Sequence, residues 1–362
     1  MDKVRQTNQR HRTGEAIAAV LAGSWRTCAP AIDLTHLNLA GIIPLLIESG
    51  AGALTWWHIR HSELQRLPKS AIRELRQTYY YQAVYAARHE QDIVHVFAMM
   101  RAAGVEPILI KGWAIARLYP ESGLRPVGDI DLYISPTDHA TARAVLSRSD
   151  HGRYWVDLEH DQITRFREPP FEELYSRSRL VELNGAMIRV LSIEDHLRIL
   201  CFHLLKHGAW RPLWLCDVAV ALESRGADFD WNRSLGSDDR RSNWIVCTIQ
   251  LAHQLLGANL ENTPLAEKHL PGWLIPSVLD QWDAPLPPSL PLAASQIRQH
   301  LLKPFELIKD FQKRWPNPIQ ATVDANGPFN GMPRLPLQAG NCCVRAVQLL
   351  RNTQGVARKR TR

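Results

Sequence analysis

Asp129 and Asp131 stand one residue apart in Leu124–Ser135, LRPVGDIDLYIS, with a glycine before them and an apolar run after them. Side chains alternate faces along a strand, so the two acids share one face while Ile130 and Leu132 take the other. Like charges on one face repel, and burial deepens the repulsion. A divalent cation removes that cost. Mg²⁺ binds a couple of carboxylates together with phosphate oxygens and water, and two such ions can clamp an in-line phosphoryl displacement. D-x-D alone fits an exposed edge strand with solvated acids equally well. Asp157, in YWVDL, is a third acid, placed mid-strand between apolar residues where an unpaired charge is costly. On a neighbouring strand it would complete a three-carboxylate metal site. Glu159, two residues on and on the same face, competes for that place, and a hydrogen-bonded structural role is the alternative for Asp157.

A second group precedes the acids. VEPILI, then Lys111–Gly112, then WAIARLY form a strand–turn–helix unit. Such a turn points free backbone N–H groups and a helix's positive end at an anion. Gly112 permits close backbone approach, and Lys111 offers a cation to a phosphate. A tight turn with a solvated lysine is the plainer alternative. G-x-x-x-x-G-K-[ST] is absent, so this is not a Walker A loop. The apolar Leu132–Tyr133–Ile134 follow the acids, so the acids open the strand; D-x-D phosphatases and many glycosyltransferases place theirs after it. His203 and His207 lie at i, i+4, but without the glutamate of H-E-x-x-H they read as a packed or substrate-facing pair rather than zinc ligands.

The elements that must position these residues fall into four stretches. Residues 1–103 are read as helical, with apolar spacing of three and four in Ala16–Leu21, Leu34–Gly50, Ala71–Ala87 and Gln91–Ala103. Trp56–Trp57 and Tyr79–Tyr81 are expected as helix-packing aromatics. Residues 104–191 form an α/β core with strands in VEPILI, DIDLYIS, YWVDL and MIRVL and a helix over Thr137–Leu146. Residues 192–260 return to helices: SIEDHLRILCFHLLKH opens on S-x-x-D, like a capping box, and Leu213–Glu223 and Asn243–Leu256 follow. Residues 261–362 are a proline-rich extension with short helices such as Ala293–Leu302 and a basic tail. The fold class expected is α+β, a small mixed β-sheet core flanked by N-terminal and C-terminal helical regions.

Composition bounds the rest. With 45% hydrophobic and 22% charged residues the chain is an ordinary globular one. MDKVRQTNQRHRTGEA has no apolar run behind it, and no stretch nears the roughly 20 apolar residues that span a bilayer. A cytoplasmic protein with no membrane partner is therefore expected. Six cysteines without C-x-x-C spacing are read as reduced core thiols. Of the net charge of +7, Arg358, Lys359, Arg360 and Arg362 supply four, so the body is mildly basic. No interleaving of aromatic and basic residues is read in the sequence, and nucleic acid is not favoured as the main partner.

ILIKGWAIARLYPESGLRPVGDIDLYI resembles the signature of the uncharacterised nucleotidyltransferase family, within the polymerase-beta-like nucleotidyltransferase superfamily, and the resemblance runs from about residue 15 to 260. It implies a metal-dependent enzyme that moves an NMP group from an NTP, expected to be ATP, to a hydroxyl or similar acceptor on a small molecule, peptide, protein or RNA. Pyrophosphate would leave, and Mg²⁺ or Mn²⁺ would be the ion. On this resemblance Asp129 and Asp131 match the metal-binding pair, and Asp157 is the third acid and a base on the acceptor. Lys111, Gly112, Trp113, Arg125 and Gly128 would contact the nucleotide. Trp113 stands where the superfamily usually has Ser or Gly, so Lys111 would substitute for a lost hydroxyl contact. The long span from Gly112 to Asp129 leaves room for Arg125 to reach the triphosphate. Lys206, His207 and Asp217 would line the acceptor or base side. Kinase-like phosphotransfer by the same carboxylates and a non-catalytic nucleotide-binding or toxin-antitoxin partner are the alternatives.

Overall fold

The computed structural model describes residues 2–32, 38–61, 67–148, 154–159, 169–265, 268–283, 315–345 and 347. It is an α+β fold around a five-stranded mixed sheet. The strands are β1 (Ile108–Leu109), β2 (Ile130–Tyr133), β3 (Val156–Glu159), β4 (Arg179–Leu183) and β5 (Ala186–Val190), in spatial order β3-β2-β1-β5-β4. β1 runs antiparallel to β2 and parallel to β5, while β3 runs parallel to β2.

Strand alternation sorts the apolar side chains onto two faces. Leu109, Ile130, Leu132, Ile188 and Val190 pack under α4 (Lys69–Ala102) and α6 (His139–Arg148), meeting Ile93, Val96, Phe97, Met100 and Ala142. Ile108, Ile110, Tyr133 and Leu191 face the other way, onto Leu174 of α7 (Phe171–Arg177) and Ile199 of α8 (Ile193–Lys206). The chain between β1 and β2 carries a single helical turn, α5 (Trp113–Ala116). A larger helical core joins helices from before and after the sheet. It gathers α1 (Asp2–Leu21), α2 (Leu39–Glu48), α3 (Gly52–Ile59), α8, α9 (Pro212–Glu223), α11 (Asp239–Leu256), α12 (Leu274–Trp282) and α13 (Pro318–Asp324). The five-residue α10 (Trp231–Leu235) packs against α8. Ser192 caps α8 as its sequence predicts, accepting from the Asp195 N–H, while Asp195 takes two hydrogen bonds from Arg177.

Several expectations need correction. The two helices read over 71–103 are one, α4, because no glycine or proline interrupts RHE between them. Its leading end packs in the helical core through Ala71 and Leu75, and its trailing end under the sheet. From Arg76 to Tyr85 no side chain is buried, so Tyr80 and Tyr81 are exposed and not packed as expected. The helix read over WAIARLY closes after one turn. β4 lies outside the strands expected from the sequence; Asn184–Gly185, both at positive φ, make the two-residue hairpin that pairs it with β5. Cys201, Cys216 and Cys247 are buried thiols, but Cys28 and Cys343 are exposed. The helix expected over Ala293–Leu302 and the basic tail lie outside the described residues. Among the described residues no helix is long and apolar enough to cross a membrane.

Candidate active site

The strand directions assemble the acids. Antiparallel pairing brings the end of β1 beside the start of β2, and the parallel β3 lays Asp157 opposite Asp131. The Ile110 N–H donates to the Asp131 carbonyl at 3.1 Å, and the Ile130 N–H to that of Trp155 at 2.7 Å. One carboxylate oxygen from each of Asp129, Asp131 and Asp157 lies within 4.8 Å of the other two. Asp131 is buried and Asp129 half-buried. Asp157 is exposed, contrary to the apolar setting read from YWVDL, because β3 is an edge strand. Glu159 sits one step along the same face, opposite Tyr133. Burial raises the Asp131 pKa above the usual carboxylate range; Lys111 opposes that, and Asp129 and Asp157 add to it. Glu159 is raised chiefly by burial as well. Three hard oxygen donors converging on a point, one already paying for its charge, fit a Mg²⁺- or Mn²⁺-type ion.

Lys111 reaches Asp131 directly, Nζ to Oδ1 at 2.8 Å. Gly112 turns the chain with φ of +54° and ψ of −116°, a conformation that L side chains rarely adopt, so the turn needs glycine although a Cβ would find ordinary space there. Gly128 has open space where a side chain would be, on the cavity wall. Trp113 is placed differently from its expected nucleotide contact. Its ring is buried under the sheet, and its Nε1 donates to Glu90 at 3.1 Å. Asp217, expected on the cleft wall, is fully buried beneath it. It holds Arg125 through Nε at 2.9 Å and Nη2 at 3.0 Å, and also takes a hydrogen bond from the Tyr119 hydroxyl at 2.9 Å.

The acids, Lys111, Gly112, Arg125 and Gly128 border a cavity of about 470 Å³. Asp129, Asp131, Asp157 and Glu159 line it together with Lys111, Arg125, Lys206 and Arg211, of which Lys111 is paired with Asp131 and Arg125 with Asp217. His203, His207 and Trp214 complete it, with ring centroids 4.5 Å apart for His203–Trp214 and 4.7 Å for the two histidines. Burial, then His207 and Lys111, push the His203 pKa well down, so its imidazole is neutral. Arg211 and Trp214 escaped the sequence reading, although W-R-P-L-W directly follows the two histidines. Proline at the first position of α9 fixes the turn that returns both to the cavity.

Under the cavity, His196 on α8 is 2% exposed, and its pKa is pushed to about 3 by burial, Arg117 and Arg125. The unfolded chain takes up this proton near 6.5, the folded one only near 3. The stability present above that window is therefore lost as pH falls through it, by up to about 1.4 kcal/mol per pH unit. His196→Gln should flatten the acid limb of urea midpoints measured at neutral and mildly acidic pH.

No curated protein and no solved structure matches the chain. A family model described as an uncharacterised nucleotidyltransferase matches residues 37–257, which takes in all five strands and every residue bordering the cavity. The chain belongs to this uncharacterised nucleotidyltransferase family, and its general activity is nucleotidyl transfer.

Proposed function

We propose that the chain moves a nucleoside monophosphate from an NTP, ATP by preference, to a hydroxyl acceptor, using a divalent cation held by Asp129, Asp131 and Asp157. The observation that carries this is the convergence of those three carboxylates in a cavity that Lys111, Lys206 and Arg211 also line. A bound Mg²⁺, or Mn²⁺ in its place, would supply Lewis-acid neutralisation of the α-phosphate. Lys111 exchanges Asp131 for a phosphate oxygen when the nucleotide enters. Lys206 and Arg211 neutralise the outer phosphates. Gly112 and Gly128 leave the triphosphate room to lie against the backbone. Exposed Asp157 is the residue that an acceptor can reach from solvent, and it takes the acceptor's proton. The acceptor oxygen bonds to the α-phosphorus, the bond to the α–β bridging oxygen breaks, and pyrophosphate departs.

The test uses an NTP labelled on the α-phosphorus with a cell extract as acceptor source. Label retained on the acceptor with equimolar pyrophosphate supports nucleotidyl transfer. A bare phosphate on the acceptor, read by mass spectrometry, means kinase-like transfer instead. Lys111→Ala should lower kcat/KM by roughly tenfold to a hundredfold, mainly through KM for the NTP. An unchanged KM removes Lys111 from the phosphate site.

A further inference from the structure

We propose that the exposed middle of α4 is a docking surface for single-stranded RNA, whose terminal hydroxyl is led into the acidic cavity. The use of that hydroxyl rests on nucleotidyl transfer; the binding does not.

Tyr80, Tyr81 and Val84 are 54%, 70% and 73% exposed, on a stretch of α4 without one buried side chain. A contiguous apolar strip of this kind marks a contact surface. Its rings are ordered. Tyr81 stacks on Tyr85 at 6.3 Å and 18°, and Tyr85 on His89 at 6.5 Å and 16°. Residues four apart fall on one stripe of a helix, about 6 Å apart along its axis, so Tyr81 and Tyr85 present rings at successive turns while the buried His89 closes the inner end of the stack.

The charge beside the rings is cationic. Between residues 73 and 88 the exposed charges are Arg73, Arg76 and Arg88 against Glu74; the half-buried Glu90 and Asp92 follow only beyond the buried His89. The Arg76 guanidinium lies 5.6 Å from the Tyr80 ring centroid. Stacking platforms alternating with arginine are how proteins track a single strand: rings take bases and guanidinium groups take phosphates. Phenolic hydroxyls and Gln77 on this face can bond 2′-hydroxyls, which favours RNA over DNA.

The ladder also points toward the chemistry. His89, its buried end, lies within the field of Asp92 first, then of Asp129, Glu90 and Arg125. The loop that carries Gly128 and Asp129 is fastened to α4: the Tyr79 hydroxyl donates to Glu121 at 2.5 Å, and Ser122 to Glu90 at 3.0 Å. Gly123, at φ +90°, lies so close that a Cβ would come within 2.6 Å of the Ala83 Cα. A strand lying on α4 is therefore tethered by rigid contacts to the acids.

The experiment is fluorescence anisotropy of the full chain with a short labelled single-stranded RNA of mixed sequence, without NTP or metal. The expected result is binding that Tyr81→Ala and Tyr85→Ala each weaken by about tenfold. Arg76→Ala and Arg88→Ala should each reduce the log–log salt slope by about 0.7. DNA of the same sequence should bind more weakly. No binding, ladder variants that bind as wild type, or equal affinity for duplex RNA or for DNA would overturn the proposal. So would finding that these variants abolish self-association of the chain, or binding to phosphatidylserine vesicles, in place of RNA binding. Missing RNA binding beside intact NTP turnover defeats this proposal alone, whereas RNA binding without NTP turnover defeats the proposed transfer and leaves the surface standing.

Discussion

An Asp129→Ala, Asp131→Ala double variant is expected to lose pyrophosphate release by roughly 10³-fold or more while remaining folded. The size follows from what the pair would do: these two side chains supply two of the three carboxylates that converge within 4.8 Å. Asp157 alone, exposed on an edge strand, has no geometry left to fix an ion. Stability without metal should hold steady or rise, because Asp131 is buried with its charge opposed by burial, Asp129 and Asp157. Losing it removes that repulsion at the cost of the Lys111 bond. A thermal-shift titration with Mg²⁺ and Mn²⁺ separates the two effects. Wild type should gain stability with ion concentration, as any ligand bound by the folded state alone requires, and the double variant should not. Undiminished turnover by the double variant would remove these acids from the mechanism.

How far the sequence discloses this site depends on the range of the interactions that build it. GDIDL and KG are local, and their register follows from strand alternation, so the shared face of Asp129 and Asp131 is legible without coordinates. That β3 runs parallel to β2, with Asp157 opposite Asp131, is legible only as an expectation, because pairing partners are a long-range matter. Burial is less legible still. YWVDL has the texture of a core strand, yet Trp155, just before β3, is 78% exposed and β3 lies at the sheet's edge. Trp113 shows the converse: beside a glycine turn it resembles a ligand contact, but the short α5 rotates its ring under the sheet. The β4–β5 hairpin was within reach, since RLVEL-NG-AMIRV sets strand-forming runs around an Asn-Gly turn. Arg125 and Asp217 lie 92 residues apart, and nothing in their local sequence pairs them.

That pair carries the second large expected effect. Asp217 is wholly buried and Arg125 nearly so, with side-chain exposures of 0% and 11%. Burial works against the Arg125 charge, but the Asp217 carboxylate more than offsets it and holds the guanidinium's pKa up. Burial and Asp217 likewise hold the Tyr119 hydroxyl protonated, as a donor. The three side chains lock the loop before Gly128 and Asp129 onto α9, so they set where the acids stand relative to the helical wall of the cavity. Removing one partner of such a pair strands a buried charge, which costs about 3–5 kcal/mol. Asp217→Leu and Arg125→Met should each show that loss in urea unfolding. Removing both charges together should restore most of it, because an apolar replacement of a buried ion pair is often close to neutral. Activity should not follow stability. Arg125 also borders the cavity, so the double variant should fold and still turn over NTP poorly. Single variants as stable as wild type would show that the loop is held by its other contacts; a double variant with full turnover would show that Arg125 only positions the loop and does not touch the nucleotide.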